Sequence, residues 1–431
     1  VIHETAAEIS AAAADAGARL ETLIADLNDD QLMGPYIPTV NPMRWEIAHA
    51  SWFYSYWVLR HVLGRAPARG DEDELFNSVA IAHTKRWILP LPSVEDTLAY
   101  CRRVHDDVRA WLDSSPPPEH MYYALWSVFH EDMHGEAFMY MRQSLGYPAP
   151  QLSGPAIADG AGALPGDVEI PGGDYVLGAS EADGFVFDNE KWGHTRRAEP
   201  FSIARAAVSQ GEFAAFVDDG GYARSELWTP AGWAWRLAED ADAPLYWRRD
   251  GDRWLRRHYD DWVELAPHRA MIFVSAYEAE AYCRWANRRL PTELEWEVAA
   301  LAEPDGAGNL AATKRRYTWG DEPPTPERAN LDAHNLGCVD VGALPAGDSA
   351  FGCRQMIGNV WEWTASPLEP FPGFVPDMYD EYAAPWFYSH RVLKGGAYTT
   401  RGRMIRGAWR NFYTPNRRDV VAGFRTCAPS K

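Results

Sequence analysis

Between Tyr147 and Gly166 the chain reads YPAPQLSGPAIADGAGALPG, and no other stretch limits its architecture as strongly. Proline and glycine at that density end helices and interrupt strands, so residues 147–166 read as a linker between two separately folding parts, 1–146 and 167–431. The 431 residues are enough for each part to bury a core of its own.

The first part is helical in pattern. Residues 4–28 are rich in alanine and leucine with recurring charges. A second helix is expected from Asn41-Pro42, a cap followed by proline at the first helical position, to about Leu63. A third opens at Ser93, with Asp96 placed for a capping-box-like pairing, and runs to about Leu112. The fourth follows Pro118 and ends at Gly146, a suitable residue just past a helix end. Four such helices fit an antiparallel bundle, whose core commonly hosts metal sites. Beyond Gly166 come short strand-like runs and many turns, with one helix opened by the capping box Ser275-Ala-Tyr-Glu278. Segments 226–262 and 364–390 read as irregular. The fold class expected is α+β in two domains.

Composition removes several functions. A net charge of −20 argues against a nucleic-acid or anionic-membrane surface. No run of about twenty apolar residues is present to span a membrane. The start, Val1-Ile2-His3-Glu4, lacks the basic region of a signal peptide. Five dispersed cysteines with no C-x-x-C pair predict no disulfide framework, and a reducing cytoplasm as the compartment. Most of the 20 tryptophans fall in the second part, where they suggest an aromatic-rich, loop-heavy fold.

Chemistry concentrates at His130-Glu131-Asp132-Met133-His134. Histidines four apart share one helix face and offer two neutral imidazoles to one divalent ion. Read literally this is also H-E-x-x-H, but the zinc-protease mechanism needs a further ligand downstream, where the Pro/Gly linker lies. A third ligand is better sought upstream at His49, midway along the second helix beside Trp45, Trp52 and Phe53. Taken alone, His49 is more often a hydrogen-bonded core histidine; the His130/His134 pair on an apolar face is harder to explain that way. Three histidines would resemble the 2-His-1-carboxylate oxygenase face with one ligand exchanged, leaving positions for O₂ and a substrate atom. Spacing alone leaves iron and zinc both open.

The second part carries Gly358-Asn-Val-Trp-Glu-Trp363, RVLKGGAY at 391–398, RLPTELEWE at 289–297 and AGFR at 422–425. These resemble the formylglycine-generating-enzyme fold, a C-type-lectin-like domain, and the first part resembles a DinB-like bundle. Joined, they resemble the ergothioneine-type sulfoxide synthases. The stretch RGAWRNFYTPNRRD before AGFR lacks the active-site cysteines of a formylglycine-generating enzyme. The resemblance implies that His49, His130 and His134 hold a non-haem iron(II). It implies that Tyr379 in DMYDEY donates a proton or hydrogen atom in the reaction with O₂, with Tyr382 near the substrate imidazole. Asn411 and Phe412 match the pair that meets the trimethylammonium end of hercynine, where an aromatic face suits a quaternary cation. Arg86 and Arg417 match the arginines that bind the carboxylates of the sulfur donor. The tryptophans and glutamate of GNVWEW are expected to be structural.

Two departures bear on the donor. Phe412-Tyr413 stands where the γ-glutamylcysteine-using enzymes have Trp-Asp, removing the carboxylate expected to meet an ammonium group. Met133 stands where they have a glutamine, replacing polar contacts with a soft, adaptable side chain. HEDMHGEAF…RQSLGYPAP with NFYTPNRRD looks most like the selenoneine synthases, which join hercynine to a selenosugar. That branch is the reading adopted, with Tyr413 facing sugar hydroxyls. Retained Arg86 and Arg417 keep cysteine or γ-glutamylcysteine as the alternative donor. A metal-stabilised binding module without turnover, and a zinc-dependent DinB-like thiol transferase, remain the readings of other classes.

Overall fold

A computed structural model describes residues 2–152 and 154–430. The chain divides into two compact units, Val1–Leu152 and Ser153–Lys431.

In the first unit the helices are α1 (Ala6–Ile24), α2 (Asp29–Met33), α3 (Met43–Tyr54), α4 (Glu72–Phe76), α5 (Val94–Leu112) and α6 (Pro118–Leu145). Four long ones form the bundle, with α1 and α3 each packed on both α5 and α6. Local chemistry sets their ends. Thr5 and Glu8 close a capping box on α1, and Ser93 Oγ accepts from the Asp96 N–H at 3.0 Å to start α5. Pro118 opens α6, and Gly146 ends it in the left-handed region at φ 68°. Asn41 does not cap α3, contrary to the sequence expectation: Pro42 takes the cap position without a side-chain bond. The Asn41 amide turns instead to Glu46 and Arg86. Beyond Tyr54, α3 widens into a π-helix over Ser55–Val62, where Ser55 and Arg60 both bond the buried Glu72 carboxylate.

In the second unit the central sheet runs in the order β12 (Asn411–Tyr413), β11 (Arg391–Lys394), β10 (Trp361–Pro367), β13 (Ala422–Gly423). Its outer pairs are β1 (Asp167–Ile170) with β4 (Phe201–Ala204), β2 (Gly173–Leu177) with β3 (His194–Ala198), and β8 (Ala302–Pro304) with β9 (Leu310–Lys314). The helices are α7 (Gln210–Asp218), α8 (Pro230–Ala238), α9 (Ala276–Trp285) and α10 (Glu293–Leu301). The GNVWEW and AGFR motifs meet in the core: Glu362 accepts from Trp296 Nε1 at 2.7 Å and from Arg425 Nε at 2.6 Å, all three buried. Gly395 of RVLKGGAY sits at φ 99°, where a Cβ would lie 2.4 Å from the Met356 carbonyl. Segment 226–262, expected to be irregular, instead holds α8 and a meander of β5 (Trp247–Asp250), β6 (Arg253–His258) and β7 (Asp261–Glu264). Thr229-Pro230 caps α8, and Gly251 turns the first hairpin at φ 59°. All five cysteines are buried and unpaired, and no helix of the described residues is long and apolar enough to cross a membrane.

The bundle core contains a buried ionic contact, His105 Nε2 to Glu131 Oε1 at 3.2 Å, with Tyr54 also donating to Glu131 at 3.0 Å. Burial lowers the His105 pKa, but the Glu131 carboxylate and a bond to the Ala13 backbone outweigh it and leave the value raised. A raised histidine pKa stabilises the fold fully below the unfolded value, about 6.5, and that contribution is lost as pH rises through the folded one. Glu131→Gln should therefore destabilise the protein by about 3–5 kcal/mol at pH 6. The gap to the parent should narrow in alkaline buffer, as read from urea unfolding at several pH values.

Candidate metal centre

His49 lies on α3, and His130 and His134 lie one turn apart on α6, the helix packed against it. The candidate ligand atoms of all three lie within 4.8 Å of one another. Every residue of α3 from Trp45 to Tyr54 is buried, as suits a helix enclosed on all sides. Aromatic rings hold the imidazoles flat. His49 stacks on Trp45 at 4.8 Å with 9° between planes, and His130 stacks on Phe53 at 3.9 Å and 15°. His49 is 3% exposed and His130 5%, whereas the His134 side chain keeps 18%, so what access remains is at His134.

Two of the rings have their tautomers set from behind. His49 Nδ1 donates to the Phe76 carbonyl at 2.8 Å, and His134 Nδ1 donates to Glu46 Oε1 at 2.5 Å. Each therefore turns Nε2 toward the centre. His134 Nε2 stands 3.1 Å from His130 Nε2, a separation at which two lone pairs repel unless a proton or cation lies between them. Nitrogens bound cis to one ion at about 2.1 Å would be about 3 Å apart, so the pair fits a shared metal. Burial, then the neighbouring His134, pushes His49 down to about 3, and the same causes hold His130 well below its ordinary value. Both are neutral imidazoles at pH 7, the form that binds metal. Burial raises the Glu46 pKa, but His134, His49 and Arg86 overcome it and hold the carboxyl down to about 2. An anionic Glu46 behind His134 is the carboxylate–histidine arrangement that fixes a ligating ring.

Glu131 takes no part here. Its carboxylate is committed to Tyr54 and His105, so the general base that a zinc protease would require is directed elsewhere. Met133 is half-buried beside His134. Arg86 lies with its guanidinium 4.0 Å over the Trp45 ring and donates to Asn41 Oδ1 at 2.6 Å. The second unit gathers the other sequence-predicted residues. Tyr382 packs 4.7 Å from Phe187 and 5.6 Å from Phe412, and burial drives its pKa up. Asn411, Phe412 and Tyr413 form β12 beside β11. Arg417 pairs with Asp419 at 2.5 Å and lies 5.2 Å from the Tyr413 ring. Tyr379 is half-buried, and its carbonyl accepts from the Tyr382 N–H at 3.1 Å. The sequence reading missed Glu46 and Asn41. The legible signal was Glu46-Ile-Ala-His49, which puts a carboxylate one turn before a candidate ligand.

Residues 156–429 match the sulfatase-modifying factor enzyme 1-like domain, and residues 12–139 match the DinB superfamily. The chain is 37% identical to the hercynine oxygenase of Mycolicibacterium thermoresistibile, over 95% of this chain and 92% of that protein. Its identity to the Mycobacterium tuberculosis hercynine oxygenase is 36%, over 95% and 96%. To the formylglycine-generating enzyme of Streptomyces coelicolor it is 33%, over 61% and 88%.

Replacing His130 or His134 with alanine should weaken divalent-ion binding by more than the roughly 10–100-fold expected of a supporting residue, whereas Glu131→Gln should stay within about threefold. Equilibrium competition against a chelator measures both.

Proposed function

The chain belongs to the hercynine oxygenase family, and from that premise we propose that it is a non-haem iron(II) enzyme joining selenium to the imidazole carbon of hercynine. The observation that carries this is the cluster of three imidazoles, two buried and one half-buried, two of them with Nδ1 tied back and Nε2 turned inward. In the overall balance the imidazole C–H and the Se–H of a selenosugar are lost, and C–Se and Se=O bonds form. One O₂ accepts the four electrons and leaves one oxygen on selenium and one in water. The product is a hercynyl selenoxide; freeing selenoneine from it requires loss of the sugar and a two-electron reduction by an external reductant such as a thiol.

Held by His49, His130 and His134, iron(II) would supply the O₂ and Lewis-acid chemistry that side chains lack. The chain's own groups do the rest. Trp45 and Phe53, stacked on two of the imidazoles, exclude water and fix ring orientation. Phe412, with Asn411, receives the trimethylammonium group, whose charge suits an aromatic face. Tyr382 packs beside the imidazole of the substrate. Tyr379 holds the proton that the reaction requires.

For the donor, two observations favour the sugar. Tyr413 offers a hydroxyl where a thiol-using site would need a carboxylate, and Arg417 is already neutralised by Asp419. The second reading, a sulfoxide synthase using cysteine or γ-glutamylcysteine, draws on Arg86, whose cationic head lies beside the histidine cluster.

Anaerobic reconstitution with iron(II) and hercynine, followed by O₂ and either the selenosugar or the two thiols, tests the donor by product mass. A selenium product from the sugar alone is expected. A sulfoxide from thiols alone would overturn the donor assignment, and hercynine binding without O₂ consumption would make the chain a binding module. Tyr379→Phe should keep iron and hercynine binding but lose product by about 10²–10⁴-fold, the usual range for a proton-transfer group. Full product formation would remove Tyr379 from the reaction.

A further inference from the structure

We propose that Glu46 is a positioning residue for His134 whose strength is set through Asn41 by Arg86, so that neutralising Arg86 tightens the histidine cluster's hold on its ion. The proposal rests on the reading of His49, His130 and His134 as ligands. Four groups form one hydrogen-bonded line. Arg86 Nη1 donates to Asn41 Oδ1 at 2.6 Å, Asn41 Nδ2 donates to Glu46 Oε2 at 2.5 Å, and His134 Nδ1 donates to Glu46 Oε1 at 2.5 Å. Asn41 can serve both neighbours because its amide presents an acceptor to one and a donor to the other.

Polarisation runs one way along this line. The Arg86 charge draws density from the Asn41 carbonyl and makes the amide N–H a stronger donor. That bond in turn draws charge from Glu46 and weakens its pull on the His134 N–H. Glu46 is only 2% exposed, so water does little to screen these effects. Trp45 joins Arg86 to the cluster by a second route, since one indole carries both the stacked His49 ring and the Arg86 guanidinium. When the Arg86 charge is cancelled, Glu46 regains density, and His134 Nε2 becomes the better ligand. An anionic group brought to Arg86 by a substrate acts in the same sense, and by linkage a bound ion strengthens that anion's hold equally.

Arg86 also repels a cation directly through space, and a double-mutant cycle separates the two effects. Co(II) dissociation constants from anaerobic chelator competition, with the Co(II) absorption band as a second readout, are compared across the variants. Arg86→Met should tighten Co(II) binding by about fivefold or more in the parent, the lower end of ordinary coupling, and by less than about twofold in Asn41→Ala. Glu46→Gln should weaken binding by about 10–100-fold. An equal effect of Arg86→Met in both backgrounds overturns the relay, and that comparison stands even if Glu46→Gln does not fold. If alanine at the three histidines leaves Co(II) binding unchanged, the ligand assignment fails and the relay with it. If those variants lose Co(II) while the cycle is additive, the relay alone fails.

Discussion

Imidazole nitrogens facing one another within the bundle are the constraint around which the first unit is organised. His49 and His134 can point Nε2 inward only because Nδ1 of each is held from behind, by the Phe76 carbonyl and by Glu46. Glu46 can be buried as an anion only because Asn41 and His134 both donate to it. Two further buried carboxylates obey the same rule. Glu72 accepts from Ser55, Arg60 and Tyr100, and Glu131 accepts from Tyr54 and faces His105. The bundle is thus fixed by matched polar contacts as well as by apolar packing. Apolar packing alone would tolerate helix shifts that these contacts do not.

Much of this arrangement was legible in the sequence where a signal is local. Pro118 and Gly146 mark the ends of α6, and histidines four apart share a face on any helix. His49 was reachable too, because a helix with Trp45, Trp52 and Phe53 around one histidine has to be enclosed. What escaped is contact between distant segments. Asn41 before Pro42 has every local mark of a cap, yet its amide bonds Glu46 and Arg86, contacts that only the packed bundle brings within reach. Segment 226–262 has local marks at Thr229-Pro230 and Asp250-Gly251 but no strong period to show α8 and the meander as elements. There, arginine–tryptophan contacts cross the strands, such as Arg248 at 4.0 Å over Trp262 and Arg249 at 4.1 Å over Trp254.

The second unit shows why its motifs are legible although its loops are not. GNVWEW, RVLKGGAY, RLPTELEWE and AGFR supply the charges that a sparse sheet needs at its centre. Glu362 binds Arg425 and Trp296, while Glu297 lies between Lys314 at 3.0 Å and Lys394 at 3.1 Å. Removing either partner of such a buried pair strands a charge, at a cost of about 3–5 kcal/mol. Residues bound by that penalty leave a recognisable sequence, and loops without it do not. The motifs therefore report the scaffold, and specificity has to be sought in the irregular residues around it.

The donor question turns on those residues. An arginine serves a carboxylate ligand best when no protein carboxylate already holds it, and Arg417 is held by Asp419 from two residues away. A thiol amino acid would have to displace Asp419 and also find a counter-ion for its ammonium group, where this chain presents Tyr413. On the proposed reading a neutral sugar makes neither demand: it needs hydroxyl partners and a surface to lie on, and Tyr413, with Arg417 5.2 Å from its ring, would offer them. Arg86 shares the Trp45 ring with His49, and the acceptor bound to its Nη1 is a neutral amide rather than a carboxylate. On the proposed relay Arg86 acts as a tuning charge for the histidine cluster, and the proposed donor selection rests with the residues around β12.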